Sequence, residues 1–411
     1  MPKSPPAAIA QLATQASTLR DQLMAWAEVN SGSDHLAGLL RMAGLLRAAC
    51  AELTPDTTLV PVASDGRVAV RARRRPEAPI QILCSGHYDT VYGAAHPFQR
   101  CTLRDAATLN GPGVADMKGG LVLLLAALHA FEHTPQATQL GWEILLTPDE
   151  EIGSAASRAL LEEAASRHHL ALIFEPAREN GDIVQSRKGT GIFTVTVHGR
   201  AAHAGRDPRL GRNAIVALAE LLPSIHRLPE ELPGVLLNIG SVRGGGAVNI
   251  VPDLASAELN ARITRADDAD TFLARLHALT APLNAREGYR VEITGQFNRP
   301  PMESGPVSTA LFAAWQDCAR ELGLAPFSWV HVGGGSDGNL LAAAGLPCLD
   351  GLGPVGGELH SEREWVHLPS IAGRAQLAAL FLHRLALGEI TLPVPGTGGK
   401  SETRSPKSET I

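Results

Sequence analysis

Short apolar strands alternate with helices through the N-terminal part of this chain, and this alternation is the strongest constraint on its fold. The pattern predicts, in order, a strand at 80–85, a helix at 117–132, a strand at 142–147, a helix at 154–167 and a strand at 171–174. Two helices precede them, one from Ile9 to about Asn30 and one over 34–53. Strands that alternate with helices are typical of βαβ units. The chain is therefore predicted to be an α/β protein with a mostly parallel sheet and helices on both faces.

The pattern changes after Lys188, where apolar and polar residues alternate along 193–198 as in a half-exposed strand. Further predicted elements complete a strand-helix-strand-strand-helix-strand unit: helices near 211–226 and 267–285, and strands near 235–243, 254–264 and 289–296. Helix–strand alternation resumes after Pro300 and Pro301. The sequence thus predicts one α/β domain, residues 1–188 and 301–392, interrupted by an inserted α+β domain at 189–300. Residues 393–411 are rich in Gly, Ser and Pro and are predicted to form a disordered tail.

Charge and hydropathy argue against several classes of protein. Lys and Arg total 36 against 42 for Asp and Glu, and a net charge of −6 does not suit a partner of nucleic acid or of an anionic membrane. The longest apolar run, Leu121–Leu128, is far shorter than the ~20 residues that span a bilayer. No sustained apolar segment follows Lys3, so we expect a cytoplasmic protein without a secretory signal. Five cysteines without a C-x-x-C pair predict reduced thiols.

Histidine and carboxylate side chains follow three of the predicted strands. His87 lies in GHYDTV (86–91), Glu150 and Glu151 lie in PDEE (148–151), and Glu175 follows the strand at 171–174. Asp116, in NGPGVADMKGG (110–120), precedes a helix. Each fragment alone also fits a turn, a helix cap or a surface loop. Because ligand sites in open α/β sheets form beyond the carboxyl ends of the strands, their common placement indicates a functional site.

These residue types suit a divalent metal. Histidine and carboxylates without cysteine favour Zn²⁺, with Co²⁺ or Mn²⁺ as substitutes. The tandem Glu150–Glu151 lies just past a strand end, where the backbone can direct one carboxylate to a metal and leave its neighbour free. A free carboxylate beside a metal can act as the general base of a hydrolysis.

Seven segments, taken in order, resemble the di-zinc M20 metallopeptidases, and most closely their glutamate carboxypeptidase (carboxypeptidase G-like) branch. The segments are GHYDTV, GPGVADMKGG, TPDEEIGS, IFEP, RKGTGIFTVTVHGRAAHAG, GGGSDGN and ELHSEREWV. The resemblance covers about residues 7–390. It implies two zinc ions, with Asp116 bridging them, His87 and Glu175 on one ion, and Glu151 and His360 on the other. Without the resemblance, His360 would be interpreted as an ordinary loop histidine.

The resemblance also assigns roles around the metals. Glu150 would be the general base, and Asp89 would orient the imidazole of His87. The inserted domain would be a ferredoxin-like dimerisation and lid domain, whose His203 reaches the partner subunit's site and polarises the scissile carbonyl. Ala202 replaces the serine that is usual before this histidine.

Residues of the inserted domain and of a later loop would bind substrate. Arg262 and Asn249 match positions that hold a substrate carboxylate, and Arg299 is a further candidate, since a guanidinium can bind a carboxylate bidentately. Gly334 and Ser336, in GGGSDGN, would lie in a loop that approaches the substrate closely. A phosphate-binding loop is a weaker alternative for this segment because no P-loop lysine follows it.

The sequence therefore predicts a cytoplasmic, homodimeric di-zinc hydrolase that cleaves an amide next to a free carboxylate. Carboxypeptidase action on N-acyl or peptidyl amino acids is the first interpretation. A deacylase of acetyl- or succinyl-amino acids and a dipeptidase are alternatives that use the same site. A non-catalytic binding protein on the same scaffold is an alternative of another class, against which the intact Glu150 and full ligand set argue.

Overall fold

A computed structural model describes residues 5–392 of the chain, and the tail predicted at 393–411 lies outside them. The helices are α1 (Ala7–Gln11), α2 (Ala16–Ala27), α3 (Leu36–Leu53), α4 (Lys118–Glu132), α5 (Arg158–Ala165), α6 (Ala214–His226), α7 (Leu228–Glu231), α8 (Asp268–Asn284), α9 (Pro306–Glu321), α10 (Asp337–Ala343) and α11 (Leu368–Ala386). The strands are β1 (Thr57–Pro61), β2 (Val68–Arg74), β3 (Ile80–His87), β4 (Thr102–Leu103), β5 (Thr108–Asn110), β6 (Leu140–Thr147), β7 (Leu170–Ile173), β8 (Ile183–Arg187), β9 (Gly189–His198), β10 (Val235–Gly244), β11 (Leu254–Ile263), β12 (Arg290–Arg299), β13 (Trp329–Val332), β14 (Cys348–Leu349), β15 (Gly356–Gly357) and β16 (Trp365–His367).

The chain divides into two compact units. Among the described residues, the first unit comprises 5–185, Ser304–Val330 and 344–392, and the second comprises Ser186–Glu303 and His331–Ala343. The segment His331–Ala343, which includes GGGSDGN, was expected in the first domain. Contacts inside the second unit hold it there, since the Asn339 amide donates to the carbonyl oxygens of Pro300 (2.7 Å) and Lys188 (3.2 Å).

The first unit is built on a mixed sheet with the strand order β1-β2-β6-β3-β7-β14. Strands β6, β3, β7 and β14 are parallel, and the hairpin β1–β2 joins β6 in antiparallel orientation. Every residue of β6 is buried. A strand buried along its whole length must be covered on both faces of its sheet, as in α/β proteins generally. One continuous apolar core unites this sheet with α2, α3, α4 and α11.

The second unit contains the predicted strand-helix-strand-strand-helix-strand arrangement. Its antiparallel sheet has the order β10-β11-β9-β12, which is the ferredoxin-like order. Burial alternates along β9 because one face of the sheet packs on α6 and α8 while the other does not. The core of this unit is separate from the first and centres on the rings of Phe193, Phe272 and Phe297.

Three local predictions were incomplete. The hairpin β1–β2 was missed, although Asp65–Gly66 provides a turn signal and Gly66 has a φ of 98°. The first helix is interrupted after Gln11, where the Thr14 hydroxyl donates to the carbonyl oxygen of Gln11 (2.8 Å) and competes with helical hydrogen bonding. The helix predicted at 154–167 begins only at Arg158, because the Asp149 carboxylate accepts the backbone N–H groups of Ala156 and Ser157.

The cysteines and the hydropathy of the helices give two further findings. The five cysteines are free thiols, four of them buried. Within residues 5–392, none of the helices combines the length and the apolar character that crossing a bilayer requires.

Candidate metal centre

The parallel register of the first unit brings three strand ends to one edge of the sheet. His87, the last residue of β3, pairs with Thr147, the last residue of β6, and Ser85 pairs with Ile173 at the end of β7. The residues that follow these strands therefore emerge side by side. This register explains why His87, the loop that carries Glu150 and Glu151, and Glu175 meet although they are distant in sequence.

Asp116 reaches the same edge because α4 begins against the end of β7. A Cβ atom at Gly120 would lie only 2.0 Å from the carbonyl oxygen of Phe174, so only glycine permits this approach. At Gly119 a Cβ atom would lie 2.4 Å from the carbonyl oxygen of Val114. The two glycines of the DMKGG motif thus let the helix and its preceding loop pack closely, and the loop presents the Asp116 carboxylate beside His87. The Asp116–Met117 peptide bond is cis.

The two carboxylate oxygens of Asp116 face two different histidines. Its Oδ1 atom lies 3.1 Å from Nε2 of His87, and its Oδ2 atom lies 3.3 Å from Nε2 of His360. The Nε2 atom of His87 is also 3.6 Å from Glu175, and that of His360 is 3.1 Å from Glu151. The five side chains therefore form two adjoining groups that share one carboxylate.

Glu150 lies inside the same cluster. The ligand atoms of His87, Glu150 and Glu175 lie within 4.8 Å of one another, as do those of His87, Asp116 and Glu151. Glu150 is buried in a short helical turn, Glu150–Ile152, that directly follows β6 and Asp149. Geometry alone does not separate a ligand from a base in the first group, and only the resemblance gives Glu150 the second role.

Asp89 is fully buried and organises this edge of the sheet. The Nδ1 atom of His87 lies 3.1 Å from the backbone oxygen of Asp89 and 3.3 Å from its carboxylate. An imidazole that donates its Nδ1–H here keeps the Nε2 lone pair available on the side that faces Asp116. The Asp89 carboxylate also accepts a 2.8 Å hydrogen bond from the Ser33 hydroxyl.

The electrostatics of the cluster suit a cation. Burial opposes ionisation of Asp116, but hydrogen bonds from His360 and His87 outweigh it and hold the pKa of Asp116 below its usual range. Hydrogen bonds to Asp116 and Glu151 raise the pKa of His360 to about 11, while burial and the charge of Asp116 raise the pKa of Glu151 to about 7. Three buried carboxylates, those of Asp116, Glu150 and Glu175, and the half-buried Glu151 concentrate negative charge that a divalent metal would neutralise. The donor set therefore fits the predicted metal pair.

His360 is supplied by a loop rather than by a strand. It follows β15 at a positive φ of 59°, a conformation that histidine adopts more readily than most residues. Its side chain is 55% exposed, in contrast to that of His87. Nothing local in the sequence marks this position, which is why only the resemblance identified it.

The second unit holds the remaining predicted residues in two places. His203 and Asn249 are neighbours, since the backbone of Asn249 accepts the N–H of Ala204 (2.9 Å), and both are exposed. The Nδ1 atom of His203 accepts the backbone N–H groups of Gly205 (3.2 Å) and Arg206 (3.1 Å). A neutral His203 therefore carries its proton on Nε2, where it can donate a hydrogen bond.

Arginines converge on the glycine loop 333–335. Arg262 donates to the carbonyl oxygen of Gly333 (2.5 Å), and a Cβ atom at Gly335 would lie 2.7 Å from the side chain of the buried Arg299. Arg187, which sequence reasoning did not single out, donates to the carbonyl oxygens of Gly334 and Gly335 (both 3.3 Å).

Ser336 follows these glycines and directly precedes α10. It is fully buried, and its hydroxyl accepts the backbone N–H of Gly338 (3.0 Å) at the start of α10.

Sequence reasoning also missed supporting residues in the first unit. Asp149 holds the loop before α5 through Ala156 and Ser157, and Glu364 accepts hydrogen bonds from the loop that carries Asp116. These residues contact backbone groups of irregular loops, so their partners could not be read from spacing. The adjacent pair Glu150–Glu151 indicated a functional site in the sequence. The single Asp149 before this pair did not indicate that its carboxylate would bind loop amides.

An α/β unit whose sheet edge gathers imidazoles and carboxylates around a shared aspartate defines a metal-dependent enzyme. The chain belongs to peptidase family M20/M25/M40, whose sequence profile matches residues 83–384. It is therefore a hydrolase of a peptidase family, as the resemblance of its motifs predicted.

Three individual proteins are similar to this chain in sequence or in fold. Carboxypeptidase G2 of Pseudomonas sp. (strain RS-16) is 29% identical over 319 residues, which cover 75% of this chain and 74% of that protein. Succinyl-diaminopimelate desuccinylase of Hahella chejuensis is 27% identical over 340 residues, covering 76% of this chain and 83% of that protein. The YXEP protein of Bacillus subtilis, described as a dinuclear metal-binding peptidase of the M20 family, has a similar fold, with a TM-score of 0.70 at 14% identity over 92% of this chain and 99% of its own.

Proposed function

We propose that this protein is a dinuclear zinc hydrolase that releases an amino acid with a free carboxylate from an N-acyl or peptidyl substrate. The observation that carries the proposal is the shared carboxylate of Asp116, whose two oxygens face His87 at 3.1 Å and His360 at 3.3 Å. A carboxylate flanked in this way can bridge two metal ions a few ångströms apart.

Two ligand groups would hold the metals. His87 and Glu175 would complete one ion and Glu151 and His360 the other, with Asp116 common to both. Bound zinc would supply Lewis acidity toward the scissile carbonyl and toward water, and Co²⁺ or Mn²⁺ could replace it.

The reaction steps fall to side chains of this chain. Glu150 would accept the proton of the attacking water as the new C–O bond forms. It would then pass this proton to the amine nitrogen, so that the amide C–N bond breaks and the amine leaves. Asp89 would accept the Nδ1–H of His87. The imidazole would then stay in the tautomer whose Nε2 lone pair is free. His203 would donate its Nε2–H to the substrate carbonyl oxygen of the partner subunit's site, which requires a homodimer.

Substrate selection is proposed for the second unit. Arg262, Asn249 and Arg299 would bind the free carboxylate of the leaving amino acid, beside the loop that contains Gly334 and Ser336. The similarity to carboxypeptidase G2 over three quarters of both chains supports a carboxypeptidase, and acyl-glutamates are the first substrates to try. The five free cysteines suit the reducing environment of a cytoplasmic location, which we include in the proposal.

A second candidate is a deacylase, favoured by the desuccinylase relative that covers 76% of this chain. In that case the acyl group, rather than the leaving amino acid, would carry the recognised carboxylate.

The two candidates are distinguished by incubating zinc-loaded protein with N-benzoyl-glutamate, its amidated form and an N-succinyl amine that lacks a carboxylate on the amine side. Release of amine from the first alone supports the carboxypeptidase, and release from the third alone supports the deacylase. If zinc-loaded protein binds these compounds without cleaving any of them, a binding protein on this scaffold is the better interpretation.

A further inference from the structure

Glu364 is an almost fully buried carboxylate that directly precedes β16 and lies four residues after His360. Its Oε1 atom accepts the backbone N–H groups of Ala115 (2.9 Å) and Asp116 (3.0 Å). Its Oε2 atom accepts the backbone N–H of Gly113 (3.0 Å) and the hydroxyl of Tyr92 (2.9 Å). A single side chain thus engages three backbone amides of the loop that presents Asp116.

These hydrogen bonds matter because the loop at 111–116 lies between β5 and α4, and Glu364 is the acceptor for the amides of Gly113, Ala115 and Asp116. Buried amides without acceptors are destabilising, and an ionised acceptor forms stronger hydrogen bonds than a neutral one. Replacing Glu364 would leave up to three of these donors unsatisfied at the place where the Asp116 side chain branches from the backbone.

The same contacts reach the loop that carries His360. The Tyr92 hydroxyl lies 2.9 Å from the carbonyl oxygen of Ser361, the next residue after His360. The Asn110 amide donates to the carbonyl oxygens of Glu362 (3.1 Å) and Glu364 (2.6 Å). The Asp116 loop and the His360 loop are therefore joined by Glu364, Tyr92 and Asn110 within one compact unit.

We propose that Glu364 is a positioning residue that sets the separation of Asp116 from His360, and so the geometry of the metal position assigned to Glu151 and His360. The inference rests on the proposed two-metal function. Tyr92 assists by donating to Glu364 while its ring stays packed against Phe98 at a centroid distance of 5.2 Å. Glu364 itself touches neither metal nor substrate in this role.

The test compares Glu364→Gln with the wild type and with Glu362→Gln, a matched change at an exposed carboxylate two residues away. Glutamine keeps the shape but turns an NH₂ group toward a backbone N–H, so at least one amide loses its acceptor. We expect the affinity for the zinc ion assigned to Glu151 and His360, measured by competition with a chelating dye, to fall about 10- to 100-fold. The visible spectrum of the Co²⁺-substituted protein should change as well. Glu362→Gln should match the wild type in both measurements.

Tyr92→Phe keeps the test decisive if Glu364→Gln does not fold, since it deletes one donor and preserves the ring. Tyr92→Phe should also lower the affinity for the zinc ion assigned to Glu151 and His360, by a smaller factor than Glu364→Gln. Wild-type zinc affinity and an unchanged cobalt spectrum in a folded Glu364→Gln protein would overturn the inference, even if that variant melts at a lower temperature. Failure of the proposed function is distinguishable, because it would appear in the wild type as an inability to bind two metal ions.

Discussion

The Oδ1 atom of Asp89 lies 3.1 Å from the backbone nitrogen of Glu150. The other carboxylate oxygen of Asp89 accepts the backbone N–H of Glu151 at 3.2 Å. The residue that faces Nδ1 of His87 therefore also fixes the backbone from which the proposed base and a proposed ligand project. A single buried aspartate thus sets three side chains of the cluster relative to one another.

Because Asp89 contacts the backbone N–H of Glu150, a change of the Glu150 side chain can leave this contact in place and test the side chain alone. Glu150→Gln keeps the backbone N–H that Asp89 accepts but cannot take up a proton. We expect kcat to fall by about 10²- to 10⁴-fold, the range typical of a lost general base. The zinc content, measured by elemental analysis, should stay at the wild-type value.

Glu52→Gln provides the control, because Glu52 is exposed on α3. It should turn over substrate at the wild-type rate. A Glu150→Gln protein with near wild-type kcat would assign the proton transfer to another group.

Asp116→Asn tests the shared carboxylate. The amide can offer only one oxygen, so one of the two metal positions loses a ligand and both lose a neutralising charge. Zinc in excess over its dissociation constant stabilises a folded protein that it binds, by about 2.7 kcal/mol at 100 times that constant. Titrating zinc into metal-free protein should therefore raise the melting temperature of the wild type and raise that of Asp116→Asn much less.

Asp21→Asn is the matched control for Asp116→Asn. Asp21 is an exposed residue of α2 that pairs only with its neighbour Arg20 among the described residues. It should show the full zinc-dependent shift. An equal shift in Asp116→Asn would contradict a bridging role.

A role of His203 in the partner subunit's site predicts complementation. Glu150→Gln and His203→Ala chains should each be inactive alone. Mixed under conditions that allow subunit exchange, they should form heterodimers in which one of the two sites has both residues intact. We expect partial activity to return, up to about a quarter of the wild-type value if the subunits exchange at random and one such site forms per heterodimer.

Differently tagged chains would verify that heterodimers form. If heterodimers are isolated and remain inactive, His203 acts within its own subunit or outside catalysis. If no dimer forms at all, the proposed assembly is wrong.

Sequence reasoning identified the parts of the site that regular structure positions. His87 ends a strand, and Glu150, Glu151 and Glu175 follow strands. The parallel register that brings strand ends together is a general property of such sheets. His360 escaped this reasoning because it lies on an irregular loop at a positive φ, far from the other ligands in sequence. Glu364 and Asp149 escaped it because their partners are backbone amides of loops, which leave no periodic pattern. The hairpin β1–β2 escaped it because it lies outside the helix–strand alternation and its clearest signal is the short turn at Asp65–Gly66.

The free carboxylate of the leaving amino acid is expected to control how fast a substrate is cleaved. Arg262 is a half-buried guanidinium that donates to the carbonyl oxygen of Gly333, and its Nε atom lies 3.4 Å from the Asn260 side chain. Both of these partners are neutral, and a hydrogen bond from the guanidinium to a charged group would contribute about 1.5–3 kcal/mol. Amidating the substrate carboxylate should therefore lower kcat/KM of the wild type by at least ~10-fold, the factor that corresponds to 1.4 kcal/mol. Arg262→Ala should lose activity on the free acid and largely lose the preference for acid over amide, whereas Arg262→Lys, which keeps the charge without the planar fork, should fall between them. Steady-state kinetics on both substrates with all three proteins measures this preference. Equal cleavage of acid and amide by the wild type would exclude the carboxypeptidase and leave the deacylase or dipeptidase as the better interpretation.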